Sequence, residues 1–312
     1  MSVKIINACS NLGYANNAVA TFPQYLKENG LFQMFETLGI PYEEIATVQA
    51  PEVNKNVYTD ARAKFKKNIT IFSKELASQI EKNVNYQHDI SLTIGGDHSV
   101  AIGSIYGLLR KRKKPGVLWI DAHTDIHTTE TTETGWVYGM PTALIMGYGD
   151  ADLLSVNHKN IPHVLPKNLC IFGAQYIDKE EYVNINRFKT NLISMDDIIE
   201  NGLKKSLDKA IDVITDGTEY VHISLDLDAI DDPLNPGITE HYNGQFTYRE
   251  IKYICKRLGK EGIVNSIDIV EGDPSKDIDG KTARLTLELI AALLGKNYSE
   301  YDATYLREHH MP

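Results

Sequence analysis

Three apolar, β-like runs in this chain end in acids and imidazoles, and the need to gather those ends in one place constrains the fold more than any other feature. The segments are Gly95-Gly96-Asp97-His98-Ser99, Asp121-Ala122-His123-Thr124-Asp125 and Ser224-Leu225-Asp226-Leu227-Asp228. Side chains at i, i+2 and i+4 of a strand project to the same side. The alternation predicts that Asp121, His123 and Asp125 face one way, as do Asp226 and Asp228. With His98 the set offers two imidazoles and four carboxylates. Such a set, without thiolates, suits Mn²⁺ first, then Zn²⁺, Ni²⁺ or Fe²⁺. The plain alternative is a group of buried acids neutralised by Arg or Lys. No cation is adjacent in sequence, and unpaired buried carboxylates are costly.

Short apolar strands alternate with helical patterns. The predicted strands are Val3–Ile6, Glu44–Val48, Ile90–Ile94, Val117–Asp121, Asn168–Gly173, Leu192–Ser194, Tyr220–Leu227 and Ile263–Val270. The predicted helices are Phe22–Leu38, Thr59–Lys82, Ser99–Lys111, Gly139–Met146, Leu203–Asp216, Tyr248–Leu258 and Thr282–Gly295. Strands separated by helices of this length form βαβ crossovers and a parallel sheet covered on both faces. Ligands bind such sheets beyond the carboxyl ends of the strands, where all three segments fall. The topology thereby joins residues up to 130 positions apart. No repeat, low-complexity tract or linker divides residues 1–312, so a single domain is expected.

A net charge of −10 gives no basic footprint for nucleic acid. The one basic run, Arg110 to Lys114, reads as a solvated helix C-terminus, where cations complement the dipole. Cys9, Cys170 and Cys255 are too far apart for a zinc motif or a disulfide framework. Reduced, buried thiols in a cytoplasmic protein are expected. The stretch from Met1 to Ile6 is too short and too quickly polar for a signal peptide. No apolar stretch reaches the length of a membrane span.

Two further acids stand near strand ends. Glu271 follows Ser266-Ile267-Asp268-Ile269-Val270. A carboxylate there could salt-bridge a planar cation such as guanidinium or amidinium. Asp178, beyond Asn168–Gly173, either binds a substrate ammonium or caps a helix that starts at Lys179-Glu180-Glu181.

From the Gly95 segment to Glu271, and more loosely beyond, these motifs resemble those of the ureohydrolases, the family of arginase, agmatinase, guanidinobutyrase and formimidoylglutamase. The resemblance implies a three-layer α/β/α sandwich around an eight-stranded, mostly parallel sheet, and two Mn²⁺ per chain. It implies that His98, Asp121, Asp125 and Asp226 hold one metal. His123, Asp121, Asp226 and Asp228 would hold the other, with Asp121 and Asp226 shared. Two metals that share a water lower its pKa and present hydroxide at neutral pH. By the same resemblance Glu271 anchors the substrate guanidinium and Asp125 passes a proton to the leaving amine. Asp178 and Glu181 would lie near an α-amino group, and Thr132 and Thr134 near an α-carboxylate. A homo-oligomer, trimer or hexamer, is implied as well.

The chain departs from the family pattern around the substrate. His127 stands where the family has Asn, and is either a partner for a carboxylate or a loop residue. Tyr138 replaces a histidine, and with a pKa near ~10 a tyrosine is a poor proton shuttle at neutral pH. Gly237-Ile238-Thr239-Glu240-His241 replaces a Gly-Thr-Gly-Thr-Pro run, and Asn7-Ala8-Cys9-Ser10-Asn11 a glycine-rich stretch. The expected activity is hydrolysis of a guanidino or amidino C–N bond, with L-arginine the first candidate. Formimidoylglutamase, agmatinase and other guanidino-acid hydrolases stay open. So do a metal-binding homologue with little catalysis and a zinc deacylase with one metal.

Overall fold

The structure is a computed structural model that describes residues 2–14, 18–54, 57–112, 114–231 and 233–298. Lys113, within the basic run, lies outside the described residues. The strands are β1 (Ser2–Cys9), β2 (Tyr42–Gln49), β3 (Asp89–Gly95), β4 (Pro115–Ile120), β5 (Leu169–Phe172), β6 (Asn191–Ile193), β7 (Tyr220–Asp226) and β8 (Val264–Val270). They form one sheet in the order β2-β1-β3-β8-β7-β4-β5-β6. Every pairing is parallel, so the sheet is parallel throughout rather than mostly so.

The helices are α1 (Phe22–Glu28), α2 (Leu31–Thr37), α3 (Lys66–Asn83), α4 (Val100–Leu109), α5 (Pro141–Ile145), α6 (Ala151–Leu154), α7 (Lys179–Phe188), α8 (Met195–Asn201), α9 (Leu203–Thr215), α10 (Tyr248–Glu261) and α11 (Lys281–Leu293). They form two layers because strand side chains alternate. Leu118, Ile120, Cys170 and Phe172 pack under α1, α2 and α8 to α11. Val117, Trp119, Leu169 and Ile171 pack under α3 to α7. Helix α10 shows the local logic. Thr247 and Glu250 form a capping box, Ile251, Ile254, Cys255 and Leu258 make one buried stripe, and Gly262 at φ 67° ends the helix. All three cysteines are free and buried. No described helix is long and apolar enough to cross a membrane.

All eight expected strands are present within a few residues. The expected helix Phe22–Leu38 is two helices, because Gly30 takes φ 103° between them, a conformation open to glycine at little cost. Helix α3 begins at Lys66 rather than Thr59. The residues before it bond instead to the loop beyond Thr128, through Lys64 N–H to the Gly135 carbonyl and Arg62 to the carbonyls of Thr129 and Glu130. Of α6, α7 and α8, only α7 stood among the expectations, as the helix that Asp178 could cap. Two of them carry a legible start signal, the capping boxes Asp178…Glu181 and Ser194…Asp197.

Candidate metal centre and substrate cleft

The three segments converge because β3, β8, β7 and β4 are consecutive neighbours at the centre of the sheet. The local geometry differs from a continued strand. Strand β4 ends at Ile120 and β7 at Asp226, and the ligand-type residues beyond them sit in turns. Asp121 Oδ1 accepts the His123 N–H at 2.7 Å, and Asp226 Oδ1 accepts the Asp228 N–H at 2.8 Å. Aspartate bends the chain this way by bonding backbone two residues on. The shared facing of each Asp-x-His or Asp-x-Asp pair is therefore a turn property, not strand alternation. Asp125 completes its segment at φ 49°, and Glu271 stands at φ 63°. Non-glycine residues in this left-handed region are uncommon and cluster at functional sites.

The Gly-Gly-Asp-His turn is built by close approach. A Cβ on Gly96 would lie 1.7 Å from the Ser10 carbonyl oxygen, so only glycine fits. Asp97 accepts from Ser99 N–H and Ser10 Oγ and folds the turn, while Gly96 accepts the Glu271 N–H at 2.8 Å. His98 is thereby placed with Nδ1 at 3.0 Å from Asp121 Oδ2, 3.2 Å from Asp125 Oδ2 and 3.0 Å from Asp226 Oδ2. His123 Nδ1 lies 3.3 Å from Asp121 Oδ1 and 3.1 Å from Asp228 Oδ2. Asp121 thus faces both imidazoles.

The electrostatics fit a cationic occupant. Burial, reinforced by Asp228 and Asp121, pushes Asp226 well above the usual carboxylate range. Burial, with Asp121 beside it, raises Asp125 to about 7. Burial also raises Asp228. Burial opposes charge on His98, yet the carboxylates of Asp121, Asp125 and Asp226 outweigh it and raise the imidazole. Among the described residues no lysine or arginine forms an ion pair with these acids. Four buried carboxylates facing two imidazoles are the donor set of a two-cation site with oxygen and nitrogen ligands. Among the described residues, His98, Asp121 and Asp125 form one group able to hold an ion, and Asp121, His123 and Asp228 another.

Two supporting residues escaped the sequence reading. Trp119 Nε1 donates to Asp121 Oδ2 at 2.9 Å, and Ser224 Oγ lies 2.8 Å from His98 Nε2. Both stand two residues before an aspartate on the strand that delivers it, so the period of two could have found them. Asp178 does two jobs. Its Oδ1 accepts the Glu181 N–H at 2.9 Å in the capping box, and its Oδ2 lies 2.9 Å from His127 Nε2. His127 therefore partners a carboxylate. Glu181 is buried and committed on both oxygens, to Thr124 Oγ1 and to the Asp178 N–H. Thr132 Oγ1 accepts the Gly135 N–H and Thr134 Oγ1 the Trp136 N–H.

A two-lobed cleft opens over this centre. The larger lobe, about 410 Å³, is lined by His127, Thr132, Thr134, Trp136, Asp178 and Glu181, among others. The smaller, about 20 Å³, is lined by Tyr14, Asp226, Asp228, Thr239, Glu240 and Glu271. His123, Asp125 and Tyr138 line both. Glu271 Oε1 accepts the His98 N–H at 2.7 Å, while its buried Oε2 has no hydrogen-bond partner among the described residues. Burial raises the Tyr138 hydroxyl far above its ordinary value, so it stays protonated at neutral pH.

Comparison with known proteins agrees with this geometry. The profile described as the arginase family matches residues 17–295. The chain is 30% identical to an arginase of Bacillus subtilis (strain 168) over 295 residues, 95% of this chain and 98% of that one. The solved arginase of Bacillus caldovelox superposes with a TM-score of 0.90 at 28% identity, covering 95% of this chain and 99% of that chain. A formimidoylglutamase from Bacillus subtilis shares the fold, with a TM-score of 0.72 at 19% identity over 96% of this chain and 88% of that chain. This chain belongs to the arginase family, hydrolases of C–N bonds in linear amidines.

Proposed function

We propose that this chain hydrolyses L-arginine to L-ornithine and urea. The observation that carries the reading is the two-lobed cleft. A small lobe, with the unpartnered Oε2 of Glu271, adjoins the six clustered acids and imidazoles and shares His123, Asp125 and Tyr138 with a larger lobe that holds Asp178 and His127. A guanidinium in the small lobe would leave the amino-acid end of the substrate in the large one. Full-length similarity to arginases supports the same choice.

His98, Asp121, Asp125 and Asp226 would hold one divalent ion, and His123, Asp121, Asp226 and Asp228 the second. Mn²⁺ suits this mixture of carboxylates and imidazoles. The ions would supply Lewis acidity and a water activated at neutral pH. Glu271 fixes the guanidinium by charge-assisted hydrogen bonds. Asp125, which borders both lobes, would receive the proton of the attacking water and pass it to the departing amine as the C–N bond breaks. Asp178, positioned by its cap and by His127, binds the substrate ammonium, and Glu181 holds Asp178 in place. Thr132 and Thr134 face the carboxylate end. Tyr138 contributes a protonated hydroxyl and a wall between the lobes. Family resemblance favours a cytoplasmic homo-oligomer, trimer or hexamer.

The unusual residues Trp136, Tyr138 and Glu240 support a second reading, in which a formimino compound or another guanidino compound is the substrate. Kinetics of the Mn²⁺-loaded protein on L-arginine, agmatine, 4-guanidinobutyrate and formiminoglutamate decide between them. Urea from L-arginine at the highest kcat/KM of the panel is expected. Turnover of another member with no urea from L-arginine would replace the arginase reading by the second.

A further inference from the structure

The loop from Gly237 to Tyr242 is stitched to the end of β8 that carries Glu271. Ile238 and Gly272 form an antiparallel bridge. The Thr239 N–H donates to the Glu271 carbonyl at 3.3 Å, and the Asp273 N–H to the Gly237 carbonyl at 2.8 Å. Glu240 follows immediately, so its backbone position is locked in register with that of Glu271.

The side chain of Glu240 is held as well. Tyr14 donates its hydroxyl to Oε1 at 3.2 Å, and Tyr242 donates to Oε2. Both tyrosines are braced by the site itself. Tyr14 stands edge-on to Tyr138 with centroids 5.1 Å apart, and Tyr242 edge-on to His123 at 4.7 Å. Burial raises both hydroxyls above their ordinary values, which keeps them protonated as donors.

The small lobe therefore carries two carboxylates beyond the six ligands, Glu240 and Glu271. Glu271 is 4% exposed, and its Oε2 has no partner among the described residues. An ionised carboxylate offers about four lone-pair sites, so two tyrosine donors leave Glu240 acceptors to spare. A guanidinium presents its N–H donors in a planar fork, and one carboxylate engages one edge of that plane. The remaining donors need a second acceptor.

We propose that Glu240, oriented by Tyr14 and Tyr242, is a specificity-determining residue that accepts hydrogen bonds from the edge of the substrate guanidinium not engaged by Glu271. The proposal rests on the small lobe as the seat of the reacting cation. It defines the substrate class as a cationic guanidino or amidino group with unsubstituted terminal nitrogens. A neutral ureido group lacks the charge, and a guanidinium alkylated on a second nitrogen loses a terminal donor.

Guanidinium chloride tests this without turnover. The Mn²⁺-loaded wild type and Glu240→Gln are titrated with millimolar guanidinium and with 1,3-dimethylguanidinium, which keeps only one unsubstituted nitrogen, matched in ionic strength, while intrinsic fluorescence and bound metal are followed. Glu240→Gln is expected to weaken guanidinium binding about three- to tenfold, as befits a charge-assisted bond to an exposed carboxylate. It should also narrow the preference for guanidinium over the dimethylated ion, with metal content unchanged. Tyr14→Phe/Tyr242→Phe should give the same shift in smaller measure, because the carboxylate remains but is no longer oriented. Equal guanidinium affinity in wild type and Glu240→Gln would overturn the proposal. So would equal weakening of both ions. Absence of urea from L-arginine would overturn the arginase reading alone, since the titration reads the lobe directly.

Discussion

The indole of Trp119 lies flat on the imidazole of His98, with ring centroids 3.9 Å apart and 8° between the planes. The same indole donates to Asp121, so one side chain fixes a nitrogen and an oxygen of the centre together. Groups just outside a ligand set orient it, and their loss typically weakens metal affinity ten- to a hundredfold, by about 1.4 to 2.7 kcal/mol. Trp119→Phe keeps the stack and loses the donor. It should lower Mn²⁺ affinity about tenfold. Metal titration of the refolded variant checks this, and an affinity equal to wild type would leave Trp119 a packing residue.

Loss of a shared carboxylate should be worse than loss of an imidazole. Asp121→Ala and Asp226→Ala are expected to bind neither ion after reconstitution, and His98→Ala to retain one. Atomic absorption on dialysed protein gives the count. A wild-type stoichiometry of one or zero would end the two-metal reading.

Glu271→Gln keeps the shape of the anchor and removes its charge. Breaking a buried charge pair costs roughly 3–5 kcal/mol, and each ~1.4 kcal/mol is tenfold in rate. A fall of more than about a hundredfold in kcat/KM is expected, with metal content retained. Near wild-type turnover would mean that another group holds the cation.

Asp178 needs a gentler substitution, because alanine would also uncap α7. Asparagine caps nearly as well as aspartate. Asp178→Asn should therefore leave the melting temperature close to wild type while it raises KM for L-arginine. KM for 4-guanidinobutyrate, which has no α-amino group, should not change. Equal effects on both substrates would place the α-amino group elsewhere.

The metal-free protein should lose stability as pH rises. Asp125, Asp226, Asp228 and Glu271 have folded values above those of an unfolded chain, as do His98 and His123. A group raised on folding stabilises below its unfolded value and loses that contribution as pH climbs through its folded value. Asp121 is depressed, and its contribution is lost only in strong acid. Between about pH 5 and about pH 8 the raised groups therefore set the sign. Melting temperature after chelation should fall across that range, and Mn²⁺ should reduce the fall, since metal binding favours the deprotonated ligands. A flat or rising profile without metal would contradict the assignment.

The sheet was legible because buried parallel strands read as apolar runs, as β3, β4 and β5 do, whereas the edge strand β2 is largely exposed. The cluster of six acids and imidazoles was legible for a related reason: such groups at apolar strand ends, with no lysine or arginine beside them, need a cation from elsewhere. The turn geometry was not. Alternation along a strand and an aspartate turn both bring residues i and i+2 together, and residue order alone does not separate Asp121–His123 in one from the other. The cleft was harder still. His127 meets Asp178 across 51 positions, and Tyr14 meets Glu240 across 226. Such contacts follow from how loops cross the sheet end, which local pattern does not encode. The break at Gly30 and the cap at Asp178 lay in between: each had a signal, but a weaker one than the helical periodicity around it.

The bond from the His98 N–H to Glu271 spans 173 positions, and it closes between β3 and β8, the latter the last strand among the described residues. A chain released too early, or nicked before β8 docks, would carry all six clustered acids and imidazoles yet lack the Glu271 carboxylate in the small lobe. Loop closure over that distance precedes any reward from the contact. The carboxylate that completes the small lobe is therefore among the last parts of the site to arrive.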